Sequence, residues 1–334
     1  MKLSILVPHY KETEEVIRPL LDSIAIQQNV DFKDIEVVIA HDGEEAKDLE
    51  LTGYQFEIKQ VRQAHKGVSA ARNFALDNST GEYLMFCDAD DMFFNVCALW
   101  IIFREMKVGF DSLVSCFVEE SRVPNTMEVA YINHDMDGTF VHGKVHRRQY
   151  LIDQKIRWNE NLTIHEDSFF NLQCQNLSPN VKYCNTPFYL WKWRDDSVCR
   201  HDPKYILKTY RNLIDSNDAL IGEFLKRGVQ DKAMFYAVFM IFDAYYTMNK
   251  PSWITQENKE YRDSTELRFA HYYEKYKDLW QNVPIQDKMQ ISNQVRTRSV
   301  MEGMQMEAVT IDSWLRHIER LLTTQAVFGK GEKK

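Results

Sequence analysis

GEYLMFCDADD, residues 81–91, is the stretch from which the rest of the chain can be read. Glu82 to Cys87 is a mostly apolar, strand-forming run that stops directly on Asp88, Asp90 and Asp91. Carboxylates at the C-terminal end of a strand stand where open α/β sheets place their ligands. Moving toward the N-terminus, Gly67 to Asn78 carries Val68, Ala71, Phe74 and Ala75 at helical spacing, and Ile35 to Ala40 (IEVVIA) is a second apolar strand that ends on His41-Asp42-Gly43. Before it, Glu14 to Gln27 repeats Val16, Ile17, Leu20, Leu21 and Ile24 with a helical period behind Thr13, and Leu3 to Val7 is the first strand. Toward the C-terminus, Leu113 to Val118 and Met127 to Ile132 are two more strands, followed by a polar loop from Asn133 to Gly138. Alternation of short β-rich runs with helical patterns predicts an α/β fold, a mixed, mostly parallel sheet with helices on both faces.

Strand patterning ceases near His201-Asp202-Pro203. Five helices are expected beyond it, over Tyr205–Lys226, Asp231–Met248, Ser264–Trp280, Ile285–Met301 and Thr310–Phe328. The expected organisation is a catalytic domain over 1–203, an all-helical C-terminal domain over 204–328 and a polar tail over 329–334. Phe235, Tyr236, Phe239, Phe242, Tyr245 and Tyr246 are assigned to bundle packing. The chain has 334 residues, 44% of them hydrophobic, with 12 Gly and 8 Pro, which excludes disordered and low-complexity classes.

The net charge is −8. Residues 1–200 hold 21 basic and 31 acidic side chains, against 20 and 18 in residues 201–334, so the acidity belongs to the α/β half. A protein that coats nucleic acid is thereby disfavoured. The six cysteines are scattered without a C-x-x-C pair, which points to free thiols in a reducing, cytoplasmic setting. Leu3 to Val7 is too short for a signal peptide, and Ala233 to Met248 falls short of a membrane span and contains Asp243.

Three carboxylates within four positions repel one another unless a cation lies among them. A hard divalent ion such as Mn2+ or Mg2+ takes few protein carboxylates and fills its remaining positions with water and phosphate oxygens, which suits nucleoside-diphosphate chemistry. A solvated loop end or a helix N-cap is the plainer account of the same residues.

Taken in order, SILVPHYKE, IEVVIAHDG, HKGVSAARNFAL, GEYLMFCDADD, FVHGKVHRRQYL, IRWNENL and HEDSFF resemble the family 2 glycosyltransferases of the GT-A fold over roughly residues 3 to 200. The resemblance implies an inverting, metal-dependent enzyme that moves a sugar from a UDP-sugar donor to a hydroxyl acceptor. Surface glycans, teichoic acids, lipids, proteins and modified DNA bases are all acceptors of this kind. It places Pro8 and Tyr10 beside the nucleobase and ribose, Asp42 on the uracil edge, Arg72 on the diphosphate or the acidic loop, Asp88 facing the ribose and Asp90 on the metal (Mn2+ or Mg2+). It makes Asp167 the general base next to Glu166, since the attacking hydroxyl must lose its proton. His142, Lys144, Glu166 and Trp191 fall on the acceptor side.

In the segment YLWKWRDDSVCRH, Tyr189, Trp191 and Trp193 are candidates for stacking on a sugar, Lys192, Arg194 and Arg200 for phosphate contacts, and His201 for a further metal ligand. Lys144, Arg147 and Arg148 form a basic cluster in sequence. Two departures stand out. His41-Asp42-Gly43-Glu44 replaces the family's usual Asp-Asp-Gly-Ser, and the Gln-x-x-Arg-Trp signature of processive synthases is missing. Rival readings are a sugar-phosphate nucleotidyltransferase, which HYKETEE does not support because it lacks a Gly-rich phosphate loop, and an inactive glycan- or protein-binding module. Oligomerisation, where it occurs, is assigned to the helical region.

Overall fold

The computed structural model describes residues 2–123, 126, 128–194, 204–301 and 309–328, with backbone alone for 298–301 and 324–328. The chain divides into two compact units, Met1–Ser197 and Val198–Lys334.

The first unit is built on strands β1 (Leu3–His9), β2 (Ile35–Asp42), β3 (Glu57–Gln63), β4 (Tyr83–Phe86), β5 (Met92–Phe93), β6 (Ser112–Arg122), β7 (Val129–His134), β8 (Lys144–Arg147) and β9 (Val181–Trp191). Its helices are α1 (Glu14–Ala25), α2 (Val68–Asn78), α3 (Ala98–Val108), α4 (Arg148–Asp153) and α5 (Glu166–Asn176). All nine strands form one sheet in the order β3-β2-β1-β4-β8-β6-β9-β5, with β7 paired to β6. β3, β2, β1 and β4 run parallel, and β8 is antiparallel to both β4 and β6. β6 and β9 therefore point the same way as β1, and their C-terminal ends share one sheet edge with the N-terminal end of β8. The mixed, mostly parallel sheet matches the architecture expected from sequence.

Period-2 alternation within each strand separates two cores. Leu3, Ile5 and Val7 of β1, with Val37 and Ile39 of β2, pack under Ile17, Leu20, Leu21 and Ile24 of α1 and Leu99, Ile102 and Met106 of α3. On the other face, Leu6, Val38, Ala40, Leu84 and Phe86 meet Ala71, Ala75 and Leu76 of α2, Tyr150 and Leu151 of α4 and Phe170 and Cys174 of α5. Burying each large side chain in these layers is worth roughly 1.5–3 kcal/mol. A polar exception lies between β1 and β2. Glu36 is buried, and its carboxylate accepts from Ser4, Thr80 and the Gly81 N–H and pairs with Lys2 at 3.1 Å, which ties the start of β4 to both strands.

The strand expected over Met127–Ile132 forms as Val129–His134, and the loop expected from Asn133 begins later. β3, β8, β9 and α3 were not anticipated. Five cysteines, Cys87, Cys97, Cys116, Cys174 and Cys184, are free thiols.

The second unit comprises α6 (Tyr205–Lys226), α7 (Gln230–Met248), α8 (Lys259–Asn282), α9 (Ile285–Met301) and α10 (Ile311–Phe328). Ile214, Leu220, Ile221 and Phe224 of α6, Ala237, Val238 and Ile241 of α7, and Phe269, Tyr272 and Tyr276 of α8 form its interior. Phe242 and Tyr246 are buried and Phe242 packs edge-on against Trp280 at 5.3 Å, while Phe235, Tyr236 and Phe239 are half-buried. Arg268 clamps α6 to α8 through Asp215 at 2.5 Å and Asp218 at 2.8 Å. Among the described residues, no helix is long and apolar enough to cross a membrane. The tail over 329–334 lies outside the described residues.

Candidate active site

At the shared sheet edge, Arg72 is the hub. It lies on α2 and is buried, with one guanidinium nitrogen 2.8 Å from Asp88 Oδ1 beyond β4 and another 2.9 Å from Glu166 Oε1 at the start of α5. Its face lies over Trp158, 4.5 Å from the ring centroid. The neighbouring Asn73 fixes that platform by donating to Trp158 O at 3.0 Å and Glu160 Oε1 at 2.9 Å, while the Trp158 backbone N–H donates back to Asn73 Oδ1 at 3.0 Å. The AARN and IRWNENL segments thus meet in one structural unit. Burial works to raise the Asp88 carboxyl, but the Arg72 and His142 charges outweigh it and hold it below its ordinary value.

β9 clamps the acidic loop from the other side. The Tyr189 hydroxyl accepts from the Asp88 N–H at 2.9 Å and donates to Asp91 Oδ2 at 2.7 Å, and the Lys192 N–H donates to Asp91 Oδ1 at 2.9 Å. Tyr189 is wholly buried, so it braces the loop and does not present a ring to a sugar. Arg194 lies 3.0 Å from Asp90 Oδ2. Burial, with Asp88 adding to it, raises Asp90; burial, with Asp90 and Asp88 adding to it, raises Asp91 well above the carboxylate range.

The turn into β8 holds His142, Gly143 and Lys144. Gly143 has φ of +69°, and a Cβ there would come within 2.4 Å of Ser115 Oγ, which itself donates to the Gly143 carbonyl at 2.8 Å. His142 is buried and stacks between Tyr189 at 4.8 Å and the half-buried Trp191 at 5.2 Å. Lys144 is also buried, with its ammonium 3.2 Å from the His142 carbonyl, and burial pulls it down to about 8. The basic cluster expected over Lys144–Arg148 is not a surface patch. Lys144 and His146 point into the sheet, and Arg147 is neutralised by Asp111 at 2.5 Å.

Asp167 follows Glu166 in the first turn of α5, after His165 in the left-handed region at φ +62°. Its Oδ1 accepts from the Ser168 N–H at 2.8 Å. Burial, reinforced by the Glu166 charge, raises Asp167 to about 7 against the opposing pull of Arg72, the Ser168 N–H and Lys144. A carboxyl group in that range exchanges protons near neutral pH.

At the β1 and β2 ends, Pro8 is half-buried and Tyr10 stacks on His65 at 4.6 Å while its hydroxyl bonds Glu45. Asp42 is buried and its carboxylate takes Gln63 Nε2 at 2.8 Å, the Lys66 N–H at 2.9 Å and the Gly67 N–H at 2.8 Å, with His65 Nδ1 at 2.9 Å. Asp42 therefore anchors the turn that opens α2.

Among the described residues, Asp88, Asp91 and His142 form a group that can hold a cation, their ligand atoms lying within 4.8 Å of one another. Carboxylate oxygens with one imidazole fit Mn2+ or Mg2+, and the carboxyls of Asp90 and Asp91, pushed upward by burial and, beyond it, by Asp88 for Asp90 and by Asp90 and Asp88 for Asp91, mark a place short of positive charge. Asp90 is not in this group. His201 and Arg200 lie outside the described residues. The bracing by Tyr189 and the platform under Arg72 have no signature in sequence beyond being aromatic.

Comparison with known proteins agrees with this architecture. Residues 4–168 match the family described as Glycosyl transferase family 2, and through its α/β unit the chain belongs to that family. Glycosyltransferase GlyA of Streptococcus pneumoniae serotype 4 is 36% identical over 94 residues, 27% of this chain and only 13% of GlyA's length. EpsH of Bacillus subtilis is 22% identical over 244 residues, covering 66% of this chain and 69% of EpsH. The crystal structure of S. aureus TarS 1–349 in complex with UDP-GlcNAc has the same fold, with a TM-score of 0.61, 17% identity, and coverage of 94% of this chain and 95% of that one. TarS is a poly(ribitol-phosphate) beta-N-acetylglucosaminyltransferase.

Proposed function

We propose that this protein is an inverting glycosyltransferase that moves a sugar from a UDP-sugar donor to the hydroxyl of a glycan or polyol acceptor. The observation that carries the reading is Asp167, tuned to about 7 and set in the same cluster as the Arg72–Asp88 and Arg72–Glu166 pairs. Asp167 takes the acceptor's proton as its oxygen bonds the anomeric carbon, on the face opposite the departing diphosphate. The bond to the diphosphate breaks in the same step. Arg72 holds Asp88 and Glu166 in register, and the aromatic wall of Trp191 and His142 shields the acceptor side from water. Asp88, Asp91 and His142 would hold Mn2+ or Mg2+, with Asp90 beside them. When bound, such an ion supplies positive charge for the leaving diphosphate.

UDP-GlcNAc bound to TarS supports a UDP-sugar donor, and TarS's named polymer supports a glycan or polyol acceptor. The modified-DNA alternative loses the basic patch that would have steered a strand. The free thiols favour a reducing, cytoplasmic location. The test is UDP release from UDP-glucose, UDP-galactose and their N-acetylamino relatives with Mn2+ or Mg2+, before and after chelation. Absence of UDP binding by calorimetry with Mn2+ present removes the donor assignment.

A further inference from the structure

A chain of hydrogen bonds crosses the ends of β1 and β2, behind Pro8, Tyr10 and Asp42 and away from the acidic loop. His9 and His41 lie opposite each other in the parallel register, with ring planes at 90° and Nδ1 to Nδ1 at 2.8 Å. Both rings are buried. The outer nitrogen of His9, Nε2, is 2.7 Å from the Glu12 carbonyl oxygen, and that of His41 is 2.9 Å from Gln60 Oε1.

Neither outer partner has a proton to give. Glu12 presents a backbone carbonyl. Gln60 is oriented by Leu49, whose N–H donates to Oε1 at 3.1 Å and whose carbonyl accepts from Nε2 at 2.9 Å. Turning the amide over sets N–H against N–H and oxygen against oxygen. Both Nε2 atoms must therefore carry hydrogen, and the inner 2.8 Å contact needs one proton between its two nitrogens. That is three protons, where two neutral imidazoles bring two.

From this count we infer that His9 and His41 form an imidazolium–imidazole pair with one buried positive charge, and that this pair positions the two loops framing the donor side of the site. One loop follows β1. His9 holds it through Glu12, whose carboxylate in turn takes the Tyr10 N–H at 2.8 Å. The other spans residues 43–56, where His41 and Gln60 hold Leu49, and Glu45 meets the Tyr10 hydroxyl.

The charged groups around the pair are few. Asp48 Oδ1 is 4.0 Å from His41 Nε2 and is itself held by Arg62 of β3 at 2.5 Å, and Glu12 contributes its carboxylate from the β1 loop. Burial pulls His41 down, the Gln60 hydrogen bond opposes it, the His9 and Arg62 charges add to the pull, and Asp48 opposes it. Rising pH removes the third proton and leaves two lone pairs facing each other. The tie between the loops is then lost, so the loops are ordered while the pair holds its single extra proton and loosen as rising pH removes it.

The test uses the full chain with 15N-labelled histidine. At about pH 6, this pair should show three ring protons, one on each Nε2 and one shared, far-downfield proton between the two Nδ1 atoms. His9→Gln and His41→Gln serve only to assign signals. As the third proton leaves, amide hydrogen exchange at Tyr10 and Leu49 should accelerate about tenfold beyond the base-catalysed trend. Two protonated nitrogens at every pH, or exchange that follows base catalysis alone, overturns the inference. The donor-side role rests on the proposed UDP-sugar reading, and UDP titration separates the two. Affinity that stays flat through the histidine titration overturns the positioning role, whereas no UDP binding at any pH overturns the donor assignment and leaves the NMR result standing.

Discussion

Replacing Asp167 by Asn should make the protein more stable while abolishing transfer. Asp167 ionises near 3.8 when unfolded and near 7 when folded. Below about pH 4 both states hold the proton, and the folded state pays nothing. Between about 4 and 7 the unfolded chain ionises first, so stability falls as pH rises, by up to about 1.4 kcal/mol per unit. Above 7 the loss levels off at about 4 kcal/mol as an upper bound, and at about 2 kcal/mol once partial exposure of the side chain is allowed for. Asn is nearly isosteric and carries no charge to desolvate. Urea unfolding of wild type and Asp167→Asn at pH 5, 7 and 8 should show a gap that is partly open at pH 5, widens to pH 7 and then stays nearly constant. UDP affinity should persist while turnover falls about 100-fold or more. A variant no more stable than wild type at the highest pH refutes the claim that burial opposes ionisation of Asp167. Full turnover in the variant removes it as the base.

Three further outcomes follow from the same cluster. Arg72→Met leaves Asp88 and Glu166 facing one another without their shared cation, and should cost about 3 kcal/mol in a denaturant midpoint; an unchanged midpoint would show that the pair is solvent-screened. Lys144→Met removes a charge that holds Asp167 down, so the acid limb of the kcat profile should move about one pH unit higher, and an unmoved limb dissociates Lys144 from the base. Gly143→Ala forces a Cβ against Ser115 in a left-handed turn and should lower thermal stability by about 2 kcal/mol or more, together with activity; a neutral result would mean the β8 turn yields without displacing His142.

Apolar patterning made half of the sheet readable in advance. β1, β2 and β4 are continuous hydrophobic runs, and their helices repeat at 3.6 residues, so one-dimensional spacing reports them directly. β3, with the sequence EIKQVRQ, lies at the sheet edge and is half-buried along most of its length, and KVHR of β8 buries a lysine and a histidine whose burial no propensity anticipates. The carboxylates were visible because they stand at strand ends. Their partners were not: the role of Tyr189 depends on its reaching Asp91 across 98 residues, and the Lys66 and Gly67 N–H groups converge on Asp42 from beyond β3. Which group a carboxylate meets is decided by crossover connections, and these leave no local trace.

β8 reverses direction between two strands that point the other way, and this bears on how the protein comes into being. β4 pairs with a segment some sixty residues later, β6 with one some seventy residues later, and β5 waits for Tyr189 and Leu190. Such distant pairings close only after large losses of chain entropy, which places this unit among slow, high-contact-order folders. On the ribosome, the acidic loop emerges roughly a hundred residues before the strand that braces it, so for that interval three carboxylates sit without Tyr189 or the Lys192 N–H. No shorter N-terminal fragment can assemble the site, and a chain truncated before Val181 is expected to be an aggregation-prone sheet with an open edge at β6.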